Sequence, residues 1–189
     1  MTSAALEAFI AQAGSLSREP RSAADCVLAL APLMFDLIEH AGSFLLPQHY
    51  RSAPGGYTRN LVYEAPDDSL SLYSIVWQPG QWTPVHDHGS WGVVGVVEGV
   101  LEERNYVRLS PDRGADEGIE LVRGGAILLR QGAVTSFVPN PDHIHITGVP
   151  IERPRAVSLH LYGRMMSSFN VYDVEARTRR RIEVAHNES

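Results

Sequence analysis

The sequence predicts a mainly β protein, a double-sheet jelly roll preceded by an N-terminal helical segment. Three observations point there. Apolar residues recur at helical spacing only within the first 45 positions. From residue 57 onward the texture changes to short alternating or β-branched runs separated by turn residues, and the helical period does not return. About ten such runs fall in the remaining barrel-forming stretch, the number that suits two sheets enclosing a tapering cavity. At 189 residues the chain is expected to form one domain, with helices over 1–45 and the β-barrel over 57–175.

Taken in order, Leu6, Phe9 and Ile10 fall at i, i+3 and i+4 and predict a short helix over 4–13. Ser22 is placed to cap a longer helix whose apolar positions are Val27, Leu30, Leu33, Met34, Leu37 and Ile38, with Gly42 as its C-terminal cap. Pro32 predicts a break in that helix, because proline lacks the amide that helix interiors use. Residues 46–56, with Pro47, Pro54, Gly55 and Gly56, read as a connector. Strands are predicted at 57–64, 69–78, 92–98, 100–108, 119–122, 126–129, 135–138, 145–149, 155–162 and 170–173. Turn residues mark the gaps: Pro66-Asp67-Asp68, Pro79-Gly80, Pro111 to Gly114, Arg123-Gly124-Gly125, Gln131-Gly132 and Pro139-Asn140-Pro141-Asp142. The basic run Arg177 to Arg181 reads as a solvated edge or tail.

Composition narrows the partners. The 16 basic residues are all Arg and are outnumbered by 22 acidic ones, giving a formal net charge of −6. Such a surface does not attract nucleic acid or anionic membrane, so a small-molecule ligand is expected. No 18-residue apolar run or cleavable leader pattern is visible, and a cytoplasmic location follows as the expectation. The single Cys26 sits in the apolar pattern of the second helix, where a buried, inert thiol is expected.

The chemistry concentrates in histidines. In a strand, residues i and i+2 face the same way, so His86 and His88 in Pro84-Val85-His86-Asp87-His88 can aim two imidazoles at one point. His143-Ile144-His145 repeats the spacing, and either or both can supply more. The positions four and five residues after His88 are Gly92 and Val93, so no carboxylate joins the set there. Three neutral imidazoles leave the charge of a divalent ion uncompensated and favour an anionic ligand. Zinc hydrolases use that charge on water, whereas an iron site can take a thiolate directly. Residue types alone leave both open.

Three stretches together resemble the cysteine dioxygenase family of thiol dioxygenases, non-haem iron enzymes with a cupin jelly-roll fold. They are Tyr57-Thr58-Arg59-Asn60, His86-Asp87-His88, and His145 followed by Ser158-Leu159-His160-Leu161-Tyr162. The resemblance implies that His86, His88 and His145 bind ferrous iron, Fe(2+). It implies that Arg59, with Tyr57, holds the substrate carboxylate, and that Ser158, His160 and Tyr162 form an outer hydrogen-bonded row at the reacting atoms. It further implies oxidation of a small thiol acid, most readily L-cysteine, by O2 to the sulfinic acid. The alternatives are a 3-mercaptopropionate or other mercapto-acid dioxygenase and, more remotely, a non-catalytic metal-binding sensor. Animal members carry a cysteine shortly after the His-Asp-His motif that cross-links to the final tyrosine; here Gly92 stands at that place, so Tyr162 is expected to remain an unmodified phenol. Arg59 favours cysteine, since relatives acting on 3-mercaptopropionate often have glutamine there, although an arginine elsewhere, such as Arg164, is a candidate for the same pocket.

Overall fold

The computed structural model describes residues 3–139 and 142–187. Two helices open the chain. Helix α1 (Ala4–Arg18) starts at Ser3, whose hydroxyl accepts from the Ala5 amide. Helix α2 (Ala23–Glu39) starts at Ser22, whose hydroxyl accepts from the Asp25 amide at 3.1 Å, and both caps satisfy amides that a helix end leaves without partners. The break predicted at Pro32 does not occur, and the helix runs through it. Pro32 lies on the solvent face, and Leu28, whose carbonyl loses its partner, is 70% exposed, so water can take the place of the missing bond. Gly42 is not a left-handed cap either; it falls within a short 3-10 helix, Ala41–Ser43, that tightens the end of α2. A second 3-10 helix, Pro47–Tyr50, organises the connector.

Among the described residues eleven strands follow: β1 (Thr58–Glu64), β2 (Ser71–Trp77), β3 (Val85–His86), β4 (Gly92–Glu98), β5 (Val100–Arg108), β6 (Leu121–Arg130), β7 (Val134–Phe137), β8 (Ile144–Gly148), β9 (Ala156–Tyr162), β10 (Ser168–Asp173) and β11 (Thr178–Glu183). They form one sheet in the order β1-β2-β9-β4-β7 and another in the order β11-β10-β3-β8-β5-β6, the expected jelly roll. Three differences from the predicted strands have physical causes. The predicted strands at 119–122 and 126–129 merge into one, β6, which begins only at Leu121, because Gly124-Gly125 form a bulge opposite Asn105 and not a turn. The run Arg177 to Arg181 lies largely in β11, an edge strand paired with β10 along its length, where charge is common because it discourages further pairing. Strand β3 is only two residues long, so His88 stands in the loop beyond it. Of the predicted turn at 139–142, Asn140 and Pro141 lie outside the described residues.

The five-stranded sheet is buried on both faces. Leu72, Val93, Leu159 and Leu161 pack outward under Leu30, Met34 and Leu37 of the helices. Tyr73, Ile75, Trp77, Val94 and Tyr162 face inward, toward Phe169 and Val171 of the other sheet. Strand β9 therefore sends Val157, Leu159 and Leu161 one way and Ser158, His160 and Tyr162 the other, into the space between the sheets. No helix among the described residues is long and apolar enough to cross a membrane.

Candidate metal centre

His86 and His145 are brought together by register. Strands β3 and β8 run antiparallel with these two residues directly opposite, and their ring centroids lie 4.6 Å apart. His88 closes the group from the loop, 4.7 Å from His86 and 5.0 Å from His145 between centroids. Each of the three offers a nitrogen within 4.8 Å of the others, and all three side chains are buried. His143 is not in this group but adjoins it: its ring lies 4.6 Å from that of His145, and with Glu103 and His145 it makes a second cluster whose ligand atoms lie within 4.8 Å of one another. It also stacks on Phe137 at 4.6 Å, while Phe137 stacks on His88 at 4.2 Å.

The His88-bearing loop is held from behind. Asp87, which points away from the triad, accepts from the Asn170 amide at 3.0 and 3.2 Å and from the Tyr172 hydroxyl at 2.7 Å. Arg164 donates to the His88 carbonyl at 2.9 Å and to the Ser168 carbonyl at 2.5 Å, so its guanidinium braces this loop and is not among the residues lining the cavity. The suggested role for Arg164 in the pocket is thereby corrected: backbone carbonyls have already engaged it.

The donor set suits a metal ion. His86 Nδ1 lies 3.1 Å from the Pro84 carbonyl, which orients that ring, while His88 Nδ1 and His145 Nε2 are buried with no hydrogen-bond partner; His145 Nδ1 lies 3.5 Å from a Glu103 carboxylate oxygen, beyond a formed hydrogen bond. Unpartnered buried nitrogens of this kind are costly unless a ligand completes them. Burial, with the neighbouring imidazoles adding to it, pushes His86 and His88 well below the ordinary histidine range; burial lowers His145 as well. Neutral imidazole is the form a metal requires.

A cavity opens from the triad, lined by Arg59, Tyr57, Trp77, Phe137, His160 and Tyr162 among others. Arg59 is 7% exposed; one guanidinium nitrogen donates to the Met166 carbonyl at 2.6 Å, the other terminal nitrogen has no partner, and the group lies 4.4 Å from the centre of the Tyr73 ring. Tyr57 stacks on Trp77 at 4.7 Å. Along β9, Ser158 Oγ lies 2.8 Å from His160 Nε2, and Tyr162 Oη lies 3.3 Å from His160 Nδ1. Trp77 donates to Ser158 Oγ at 3.0 Å and anchors the row. Burial, first, and the nearby positive groups lower His160 to about 3, and burial raises the Tyr162 phenol above its usual value, so both are neutral at physiological pH.

The model of the family described as cysteine dioxygenase type I matches residues 49–175, which include every one of these groups. The chain belongs to the cysteine dioxygenase type I family. Similar solved structures include an uncharacterised conserved protein with a double-stranded β-helix domain from Klebsiella pneumoniae, 16% identical, with TM-score 0.48 over 69% of this chain and 96% of that one. A cupin-like protein from Thermotoga maritima is also 16% identical, with TM-score 0.43 over 64% of this chain and 81% of that one. A hydroquinone 1,2-dioxygenase in complex with Cd2+ and 4-hydroxybenzonitrile is 13% identical, with TM-score 0.44 over 58% and 65%.

Within a cysteine dioxygenase framework, Gly92 is the informative departure. A Cβ built there would lie 2.3 Å from Phe137 Cζ, so the Phe137 ring occupies the space a side chain at that position would need. Two residues at the site escaped the sequence reading. Asp87 was seen only as the middle of the histidine motif. Glu103, 6% exposed, lies 3.5 Å from His145 and 3.4 Å from His143. Its alternation with buried Leu101 on β5 was the available signal, since it places a carboxylate on the inward face of a strand.

Proposed function

We propose that this protein is a thiol dioxygenase that converts L-cysteine and O2 to the sulfinic acid, with Fe(2+) held by His86, His88 and His145. The observation that carries the substrate class is Arg59: a buried guanidinium with an unpartnered nitrogen facing the same cavity as the three imidazoles, and no acidic partner among the described residues. A buried cation without a counter-ion is stabilised by an anionic ligand, and a guanidinium fork suits a carboxylate. When bound, iron(II) supplies a centre that accepts a thiolate and activates dioxygen. One thiol and one O2 give one sulfinic acid, so the reaction consumes no outside reductant.

The chain's own residues bind, orient and manage protons. Arg59 takes the carboxylate while Tyr57, stacked on Trp77, walls that end of the cavity. Phe137, Met166 and Phe169 exclude water from the other walls. Trp77 already donates to Ser158 Oγ, which leaves the serine proton for His160 Nε2; the His160 Nδ1–H then points to Tyr162 Oη. In that arrangement the Tyr162 proton is free to be donated to a ligand in the cavity.

A second reading, 3-mercaptopropionate as substrate, is favoured by one observation. Among the described residues lining the cavity there is no Asp or Glu to receive the ammonium group of cysteine. Oxygen uptake by Fe(2+)-reconstituted protein, run side by side with the two thiols, tests both. The proposal expects cysteine to give the higher kcat/KM; the reverse order selects the mercapto acid, and no thiol-dependent uptake with either would leave a metal-binding sensor.

A further inference from the structure

Behind the three imidazoles sits a buried carboxylate that the proposed reaction leaves unused. On β5, Asn105 lies opposite His145 and Glu103 opposite Thr147, so Glu103 and His145 are diagonal neighbours on one face of the sheet. Glu103 Oε2 is 3.5 Å from His145 Nδ1, and Oε1 is 3.4 Å from His143 Nε2. No arginine pairs with Glu103 among the described residues; the two imidazoles are the groups close to its carboxylate oxygens.

An ionised carboxylate can only accept, so it selects the tautomer of His145 that carries its proton on Nδ1. That leaves Nε2 bare, the state a metal-binding nitrogen needs. His86 is oriented in the same way through Nδ1, but by the neutral Pro84 carbonyl. Of the three imidazoles, His145 alone backs onto a carboxylate among the described residues, which adds negative charge to a set that otherwise carries none. We propose that Glu103 is a positioning residue: it holds the Nδ1–H of His145, directs Nε2 toward His86 and His88, and lends the centre anionic character. His143 steadies the same carboxylate from its more exposed side, being 22% exposed against 8% for Glu103. The proposal rests on the reading of His86, His88 and His145 as the metal-binding set.

Co(II) titration of the metal-free protein, in competition with a chelator, separates the two ideas. Wild type should bind one Co(II) per chain, and His86→Ala should abolish binding; failure of either overturns the metal-centre reading itself. Given those results, Glu103→Gln should weaken Co(II) affinity about 10- to 100-fold and shift the visible d–d bands, while His143→Gln should stay within about threefold of wild type. Equal affinity for Glu103→Gln and wild type would overturn the role, as would an equally large loss in His143→Gln. A second Co(II) per chain that disappears with Glu103→Gln would also overturn it, because Glu103 would then be a ligand. A tautomer measurement needs no variant to fold: in Zn(II)-loaded wild type, long-range 1H–15N NMR should show His145 protonated at Nδ1, and a proton on Nε2 would refute the proposal.

Discussion

Arg59 carries a charge that the described residues leave unbalanced, and this is the feature on which substrate recognition turns. Arg59→Ala should raise KM for the thiol acid about 100-fold, the loss of a charge-assisted pair of hydrogen bonds worth roughly 2–3 kcal/mol. Metal content should not change, because Arg59 is not one of the grouped imidazoles. Arg59→Lys keeps the charge but not the fork and should recover only part of the loss. Unchanged kinetics in Arg59→Ala would remove it from the site. Gly92 makes a second claim at this scale. Phe137 fills the space beside it, and Cys26 packs in the helix-facing core on the opposite side of the five-stranded sheet from the Tyr162 side chain. The intact mass of the purified protein should therefore equal that of the unmodified chain, and a deficit of two hydrogens mapped to Tyr162 would contradict this.

At the scale of elements, the site depends on how strands are registered and what holds them. The short β3 is fixed between β10 and β8, and the loop beyond it is tied down by Asp87 to Asn170 and Tyr172 of β10. Asp87→Ala leaves the buried Tyr172 hydroxyl and Asn170 amide without their acceptor, and a loss of about 2–4 kcal/mol in denaturant unfolding is expected. Helix α2 lies directly on β4: a Cβ at Gly95 would come within 2.6 Å of Ile38 Cγ2 and 2.9 Å of Met34 Cγ. Gly95→Val should cost about 1–3 kcal/mol by overpacking. Most strands were legible as alternating runs, β4 and β5 to the residue. What stayed hidden was a matter of context. Pro32 is tolerated because its helix face meets water, the Gly124-Gly125 pair is a bulge because β5 continues opposite it, and β11 is a strand because β10 offers an edge. None of these neighbours can be read locally.

For the whole molecule, two sheets press neutral histidines into an apolar interior, and stability becomes pH-dependent. Burial lowers folded-state His160 from its ordinary 6.5 to about 3. As pH falls below 6.5 the unfolded chain takes up this proton first, so the stability is complete above that pH and is lost progressively toward 3. At pH 5, His160 alone should cost roughly 2 kcal/mol relative to neutral pH. Denaturant melts of metal-free protein at the two pH values check this, and His160→Gln should lessen the fall. The His-Asp-His motif, Arg59 and the Ser158-His160-Tyr162 row were visible in sequence because each carries its own spacing. Glu103, Asp87 and the bracing role of Arg164 were not, since each acts across a strand or loop distant in the chain. The most direct test of the central claim is product analysis after reaction of Fe(2+)-reconstituted protein with L-cysteine under 18O2. A sulfinic acid bearing two 18O atoms is predicted; cystine alone, or a product carrying one labelled oxygen, would contradict a thiol dioxygenase.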